Sequence, residues 1–384
     1  MKILVTNCTR NSGLAVIRRL ARNGHQIIGA DDRRLPFGLH SRYVPPYELI
    51  PDEHADDYVE CLISLVEKHR PDVLLPFAGA ERVCQEYSRF ESVTRVLLPD
   101  HSSFLALHDK KRVLEECQRD GIPCPAILSV LSAQQALREG SAQAIVMKSR
   151  ANLGGGAGVL IIAEPDGIEE AQAALEREFG ETIITEFVPG PDANNIALQI
   201  VFDRSSRPIG YLLLRKLRLN PVNVGIMAFG VSMHAPDLVA TVLPLFRRLH
   251  WRGPADVEFK LDSRTGQAQL IEVNARFSGA VNFAIECGVD LPELTCRAAI
   301  GERLPAAEEP SFEAGVKYWN PIMYLRSVRA EFRRGGDRSA LLSRMRAELK
   351  GRRVGQPYQW TDPAPTVGKV LHQLHGCFRR HQGQ

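Results

Sequence analysis

The sequence predicts an N-terminal α/β domain built on a doubly wound parallel sheet, followed by a region of antiparallel sheets. Three observations predict this fold class. Short apolar runs alternate with helix-spaced segments over the first third of the chain. Beyond residue 140, apolar–polar alternation takes over, and glycine- and proline-rich turns separate the strands. At 384 residues the chain exceeds one ordinary core, so two or three domains are expected.

Residues 3–6 (ILVT) read as a buried strand, and residues 14–21 follow with helical spacing until Asn23-Gly24 ends the helix. Residues 26–30 form a second strand ending at Asp31 and Asp32. Apolar positions 59, 62, 63, 65 and 66 give residues 58–69 a helix face, and residues 71–76 form a third strand. Strand, helix and strand in this order imply a parallel sheet covered on both faces. Residues 109–120 (DKKRVLEECQRD) form a helix closed by Gly121, and Pro123 and Pro125 break the chain there. Further on, residues 144–148, 159–162 and 183–188 are strands. Ile196, Leu198, Ile200 and Phe202 alternate as a half-buried antiparallel strand. Residues 256–261 and 268–273 flank a turn at 262–266 as a hairpin.

Hydrophobic residues at 44% and charged residues at 24% exclude wholesale disorder and a miniature disulfide fold. No apolar run reaches the length of a membrane span, and the N-terminus lacks a signal-peptide pattern, so a cytoplasmic protein is expected. The eight cysteines form no CxxC pair, which argues for free thiols rather than zinc or a disulfide framework. Charge is uneven: residues 321–384 hold 13 Lys and Arg against 4 Asp and Glu, a net +9, which leaves −6 for the preceding body. A short amphipathic helix is expected near residues 339–349. The basic tail either packs on the acidic body or meets an anionic surface or carrier protein. Nucleic acid is not expected, because aromatics for base stacking are sparse there.

Three segments carry chemistry. The turn at residues 7–13 holds only Gly13, too few glycines for a dinucleotide fingerprint, so a nicotinamide site there is a weak rival to a plain βα turn. Lys148 ends a strand and is followed by the glycine hairpin Gly154, Gly155 and Gly156, able to fold over phosphate oxygens with backbone N–H groups. Glu272, Asn274 and Arg276 alternate along one strand and so share a face, and the hairpin sets Glu258 beside them. Two carboxylates and an amide oxygen suit Mg²⁺, and the arginine suits a transferring phosphoryl group.

Together with residues 185–192 (TEFVPGPD), these segments resemble the ATP-grasp superfamily in order and spacing. Its members include biotin carboxylase, D-alanine–D-alanine ligase and the carbamoyl-phosphate synthetase large subunit. The glycine hairpin is most similar to the synthetase type. The resemblance covers residues 1–310 and implies four units: a pre-ATP-grasp α/β domain (1–105), a lid subdomain (106–190), a catalytic subdomain (191–310) and a basic C-terminal extension (311–384). It implies an ADP-forming carboxylate–amine ligase that uses ATP and Mg²⁺, with Mn²⁺ an admissible substitute. Carried over by residue, Lys110 and Lys148 are the nucleotide lysines, with Lys111 competing with Lys110. Glu186, Phe187 and Val188 are the adenine hinge, and Asp192 is the ribose-facing acid. Glu258, Glu272 and Asn274 are the metal ligands, and Arg276 faces phosphate. Lys216 and Arg218 are candidates near the acyl phosphate. Ser149 and Ala157 depart from the family pattern in the hairpin. Small-molecule carboxylate and amine substrates are implied but not identified, and oligomeric state is not legible. An ATP-grasp kinase and a catalytically silent ATP-binding regulator share the nucleotide residues and stay open.

Overall fold

The computed structural model describes residues 1–33, 41–44, 47–151, 156–333, 335, 338–355, 362–365 and 367. The first apolar runs become β1 (Lys2–Val5), β2 (Gln26–Asp31), β3 (Tyr47–Leu49) and β4 (Val73–Leu75), all paired in parallel in the order β3-β2-β1-β4. α1 (Asn11–Arg22) and α2 (Tyr58–His69) are the helices between them, and each buries its apolar stripe: Leu14, Val16, Ile17 and Leu20 on α1, Val59, Leu62 and Val66 on α2. The turn from β1 into α1 closes only on glycine, because a Cβ at Gly13 would lie 2.3 Å from the Asn7 carbonyl oxygen. α3 (Ala80–Gln85), α4 (Tyr87–Glu91), α5 (His101–His108) and α6 (Lys110–Arg119) complete this part. Asp109 caps α6 by accepting from the Lys111 and Arg112 N–H groups at 2.8 and 3.0 Å, which sets Lys110 at the first turn.

A small antiparallel sheet follows in the order β5-β8-β6-β7, made of β5 (Ile127–Leu128), β6 (Ile145–Ser149), β7 (Val159–Ile162) and β8 (Thr182–Glu186). α7 (Val130–Arg138) and α8 (Ile168–Phe179) pack on it around a core of its own, with Ala133, Ile145, Met147, Ile168, Leu175 and Ile184 buried.

The largest sheet has the order β13-β12-β9-β10-β11-β14-β15. Its strands are β9 (Asn195–Phe202), β10 (Pro208–Asn220), β11 (Ile226–Ser232), β12 (Gly253–Leu261), β13 (Ala268–Asn274), β14 (Lys317–Trp319) and β15 (Arg353–Gly355). All neighbours are antiparallel except β14 and β15. β9 differs from expectation: the alternation predicts one wet face, yet every residue after Asn195 is buried. The reason is its central position: on one face Phe202 stacks on Phe246 of the helix that follows β11, and on the other α11 (Leu291–Ala299) packs and Gln199 donates to the Ala280 carbonyl. α9 (Pro236–Arg248) and α10 (Val281–Glu286) complete this region. One continuous core joins the parallel sheet to the large sheet.

The expected helix near 339–349 is α13 (Arg338–Glu348), and it follows α12 (Pro321–Arg333), which packs on β10 and β11. Past residue 310 the chain therefore adds two strands to the large sheet. It also returns to the first domain: Asp362 meets Arg18 at 2.7 Å with both side chains 3% exposed, and accepts from the Ser41 hydroxyl. Among the described residues the cysteines are free thiols, and no helix is long and apolar enough to cross a membrane.

Candidate active site between the lid and the large sheet

Two cavities meet between the small and large sheets. The first, about 170 Å³, is walled by Lys110, Lys148, Gly156, the stretch from Thr185 to Val188, and by Leu219, Lys260 and Ile271. The second, about 410 Å³, reaches Arg10, Asn11 and Ser12 of the first domain, Asp256, Asn274 and Arg276 of the sheet, and Tyr318 and Asn320 beyond it. Gly156, Lys216, Val224, Gly225, Glu258 and Glu272 belong to both.

The hairpin forms as expected, with a one-residue bulge between the Phe259–Leu270 and Glu258–Glu272 pairs. Glu258 and Glu272 are direct register partners across β12 and β13, as are Asp256 and Asn274. Alternation carries Glu272, Asn274 and Arg276 to one face, where the Asn274 amide donates to Glu272 Oε1 at 3.3 Å and Arg276 donates to Asn274 Oδ1 at 3.0 Å. Burial would push the Glu272 carboxyl up, but Lys110, Lys148 and Lys216 outweigh it and hold the group below the usual range. Lys216 Nζ lies 2.7 Å from Glu258 Oε1; burial opposes its charge, and Glu258 and Asp256 overcome that and raise it. Two facing carboxylates, one held ionised, plus an amide oxygen are a hard-oxygen donor set that fits Mg²⁺.

Of the two candidate lysines, Lys110 is the one at the first cavity. It is buried, lines the first cavity and donates to the Ser149 and Ala151 carbonyls at 3.3 and 2.9 Å, whereas Lys111 sits outside and pairs with Glu115. Lys148 is 4% exposed and donates to the Ile271 carbonyl at 3.2 Å. Burial, partly countered by Glu272 and reinforced by Lys110, pulls it from 10.5 to about 8. Of the hairpin glycines, Gly154 and Gly155 lie outside the described residues. Gly156 has φ +82°, and a Cβ there would lie 2.3 Å from the Val224 carbonyl oxygen, so the close approach to the 220–225 loop at this position requires glycine.

Two expected residues already hold partners within the protein. Asp192 accepts from the Leu219 and Asn223 N–H groups, both at 2.9 Å, so each of its carboxylate oxygens holds the loop that walls the first cavity. Arg218 faces away from both cavities: Nε donates to Glu348 at 2.9 Å, Nη1 to Glu331 at 2.6 Å, and the guanidinium lies 5.4 Å from the Tyr324 ring centroid.

A family model described as "ATP-grasp in the biosynthetic pathway with Ter operon" matches residues 229–321. The carbamoyl phosphate synthase large chain of Methanothermobacter thermautotrophicus is 22% identical over 283 residues, 66% of this chain and 26% of that one. The biotin carboxylase domain of 2-oxoglutarate carboxylase from Hydrogenobacter thermophilus, solved with MgADP, ADP and bicarbonate, superposes with a TM-score of 0.63 at 20% identity, covering 79% of this chain and 70% of that one. N5-carboxyaminoimidazole synthetase from Staphylococcus aureus, complexed with ADP, gives 0.62 at 16% identity over 79% and 78%. The chain has the ATP-grasp fold. It spans about a quarter of the length of the synthase large chain it matches.

Within this ATP-grasp architecture the two departures in the hairpin are accommodated. Ser149 donates to the Phe179 carbonyl at 2.9 Å and accepts from the Ala151 N–H, and Ala157 lines the first cavity. Sequence reasoning missed Lys260, whose Nζ stands 5.0 Å from the Phe187 ring centroid. Its signal was available, because Lys260 follows Glu258 by two along a strand and so shares its face. It also missed Asp256 and the wall formed by Tyr318 and Asn320, the latter contributed by distant chain without a motif.

Proposed function

We propose that this ATP-grasp chain is an ADP-forming ligase that activates a carboxylate as an acyl phosphate and joins it to an amine. The observation that carries this reading is the shared wall of the two cavities. A nucleotide in the first and an acid in the second would meet at Lys216, Glu258 and Glu272. Phe187 and Val188 give the first cavity an apolar end for a base, and Lys110 and Lys148 give it a cationic end for phosphates. Mg²⁺, held by Glu258, Glu272 and Asn274, would supply charge neutralisation for the transferring phosphoryl group. A carboxylate oxygen attacks the γ-phosphorus and ADP leaves; the amine nitrogen then attacks the acyl carbon, phosphate leaves and the nitrogen sheds its proton. Arg276 faces the second cavity, where negative charge gathers in both steps. Gly156 meets Val224 where the two cavities join, and a closed junction there would exclude the water that hydrolyses the intermediate.

The test is an ADP-release screen pairing carboxylic acids with amines, read by product mass. ADP formed in step with an amide supports the reading. A phosphorylated acceptor that accumulates without an amine makes the chain a phosphotransferase, and Mg-nucleotide binding without turnover under any pairing makes it a silent binder.

A further inference from the structure

Three neighbouring strands of the large sheet carry one polar row beside the second cavity: Gln199 on β9, Asp256 on β12 and Asn274 on β13 are register partners. Partners in antiparallel strands project to the same face. Asn274 is satisfied by Arg276 and Glu272. The other two are not: Asp256 Oδ1 and Gln199 Oε1 are buried without a hydrogen-bond partner, on residues 4% and 1% exposed. A buried acceptor left bare incurs its full desolvation penalty, so two adjacent ones mark a place shaped for a donor. Asp256 lines the second cavity, and around the same cavity stand the cations Arg10, Lys216 and Arg276. The cavity thus offers a guest both positive charge and a bare carboxylate oxygen.

Resting on the carboxylate-activating reading above, we propose that the acid taken by the second cavity also carries an ammonium group, whose N–H donors are met by Asp256, with Gln199 the next acceptor in the row. The carboxylate end then lies toward Lys216 and Arg276. A cation is favoured over a neutral hydroxyl because two carboxylates, Asp256 and Glu258, line the same cavity. At about 410 Å³ the cavity has room for an amino acid with a sizeable side chain.

The experiment uses the full chain with Mg²⁺ and a non-hydrolysable ATP analogue, and titrates matched pairs by calorimetry: alanine against propionate, leucine against 4-methylpentanoate, glutamate against glutarate, with both enantiomers of each amino acid. We expect at least one amino acid to bind roughly ten-fold or more tightly than its desamino partner, as a charge-assisted contact implies. Asp256→Asn should erase that ratio and leave affinity for the analogue unchanged. The inference is overturned if desamino acids bind equally well, if no member of any pair binds, or if Asp256→Asn keeps the ratio. The wild-type comparison decides the matter even should the variant fold poorly. Failure of the ligase reading looks different: amino acids would bind selectively, yet added amine would release no ADP. Equal turnover of amino and desamino acids would sink the ammonium subsite and leave the ligase standing.

Discussion

Replacing Lys148 with methionine should make the unliganded protein more stable while weakening its hold on ATP. Lys148 is 4% exposed, and burial holds its ammonium near 8 instead of 10.5. At about 1.4 kcal/mol for each tenfold loss of proton affinity, keeping it charged costs the folded state about 3 kcal/mol at neutral pH. Methionine has similar length and no charge. Against the gain stand the lost bond to the Ile271 carbonyl and one fewer cation beside Glu272, together about 1–3 kcal/mol. The expected net is a gain of about 1 kcal/mol. ATP should bind roughly ten-fold to a hundred-fold more weakly, since a charge-assisted contact contributes about 1.5–3 kcal/mol. The pH dependence has a definite sign. Below about 8 both folded and unfolded forms hold the proton, and the full penalty is present. Between about 8 and 10.5 only the unfolded form holds it, so stability rises with pH. Urea unfolding without nucleotide, from neutral pH to about 10, should show that rise in the wild type relative to Lys148→Met, and calorimetry gives the ATP affinities. Unchanged ATP affinity in the folded variant, or parallel stability curves for the two proteins, would refute the reasoning.

Three further changes discriminate roles. Glu272→Gln removes the carboxylate that Lys110, Lys148 and Lys216 share, so it should lower unliganded stability by about 1–3 kcal/mol and abolish Mg²⁺-dependent ADP release; activity that survives would remove Glu272 from the metal. Glu348→Gln and Arg218→Lys should lower stability by similar amounts, about 1–3 kcal/mol each, seen as a lower melting temperature, because both loosen the same buried pair; a loss of turnover confined to Arg218→Lys would return that residue to the chemistry. Gly156→Ala forces a Cβ against the Val224 carbonyl at φ +82°, so it should cost about 1–3 kcal/mol locally and raise the KM for ATP more than it lowers kcat, as steady-state kinetics would show.

The parts of the site set by local rules were readable from sequence. A turn at residues 262–266 pairs Leu261 with Ala268 and so brings Glu258, Glu272 and Asn274 close together, but a one-residue bulge beyond the Phe259–Leu270 pair, which the turn does not announce, sets Glu258 opposite Glu272. Lys148 stands out because a glycine hairpin follows it. Arg218 was unreadable for the opposite reason: Glu331 and Glu348 lie 113 and 130 residues further along, and no local pattern says that α12 and α13 return to β10. Asp192 carries the same lesson at shorter range, since the loop whose N–H groups it accepts begins 27 residues later. The burial of β9 depended on being central, which periodicity cannot report, because alternation reads one strand and burial depends on what covers both faces.

The docking of β14 against β11 bears on how this protein can be cut. β11 has β10 on one side, and on the other, among the described residues, the three residues of β14 against Phe229, Gly230 and Val231, flanked by backbone bonds from Asn320 to Ala228 and between Gly315, Val316 and Ser232. A product ending before residue 317 would keep the shared wall of both cavities intact, yet leave an apolar strand (IMAFGVS) with a free ladder of N–H and C=O groups. Such an open edge is a template for any other extended chain, including another copy of itself. Shortened forms should therefore fail by self-association in the test tube before they fail in nucleotide chemistry, and a clean trimming of this protein would need a charge or a proline written into β11 to blunt the edge.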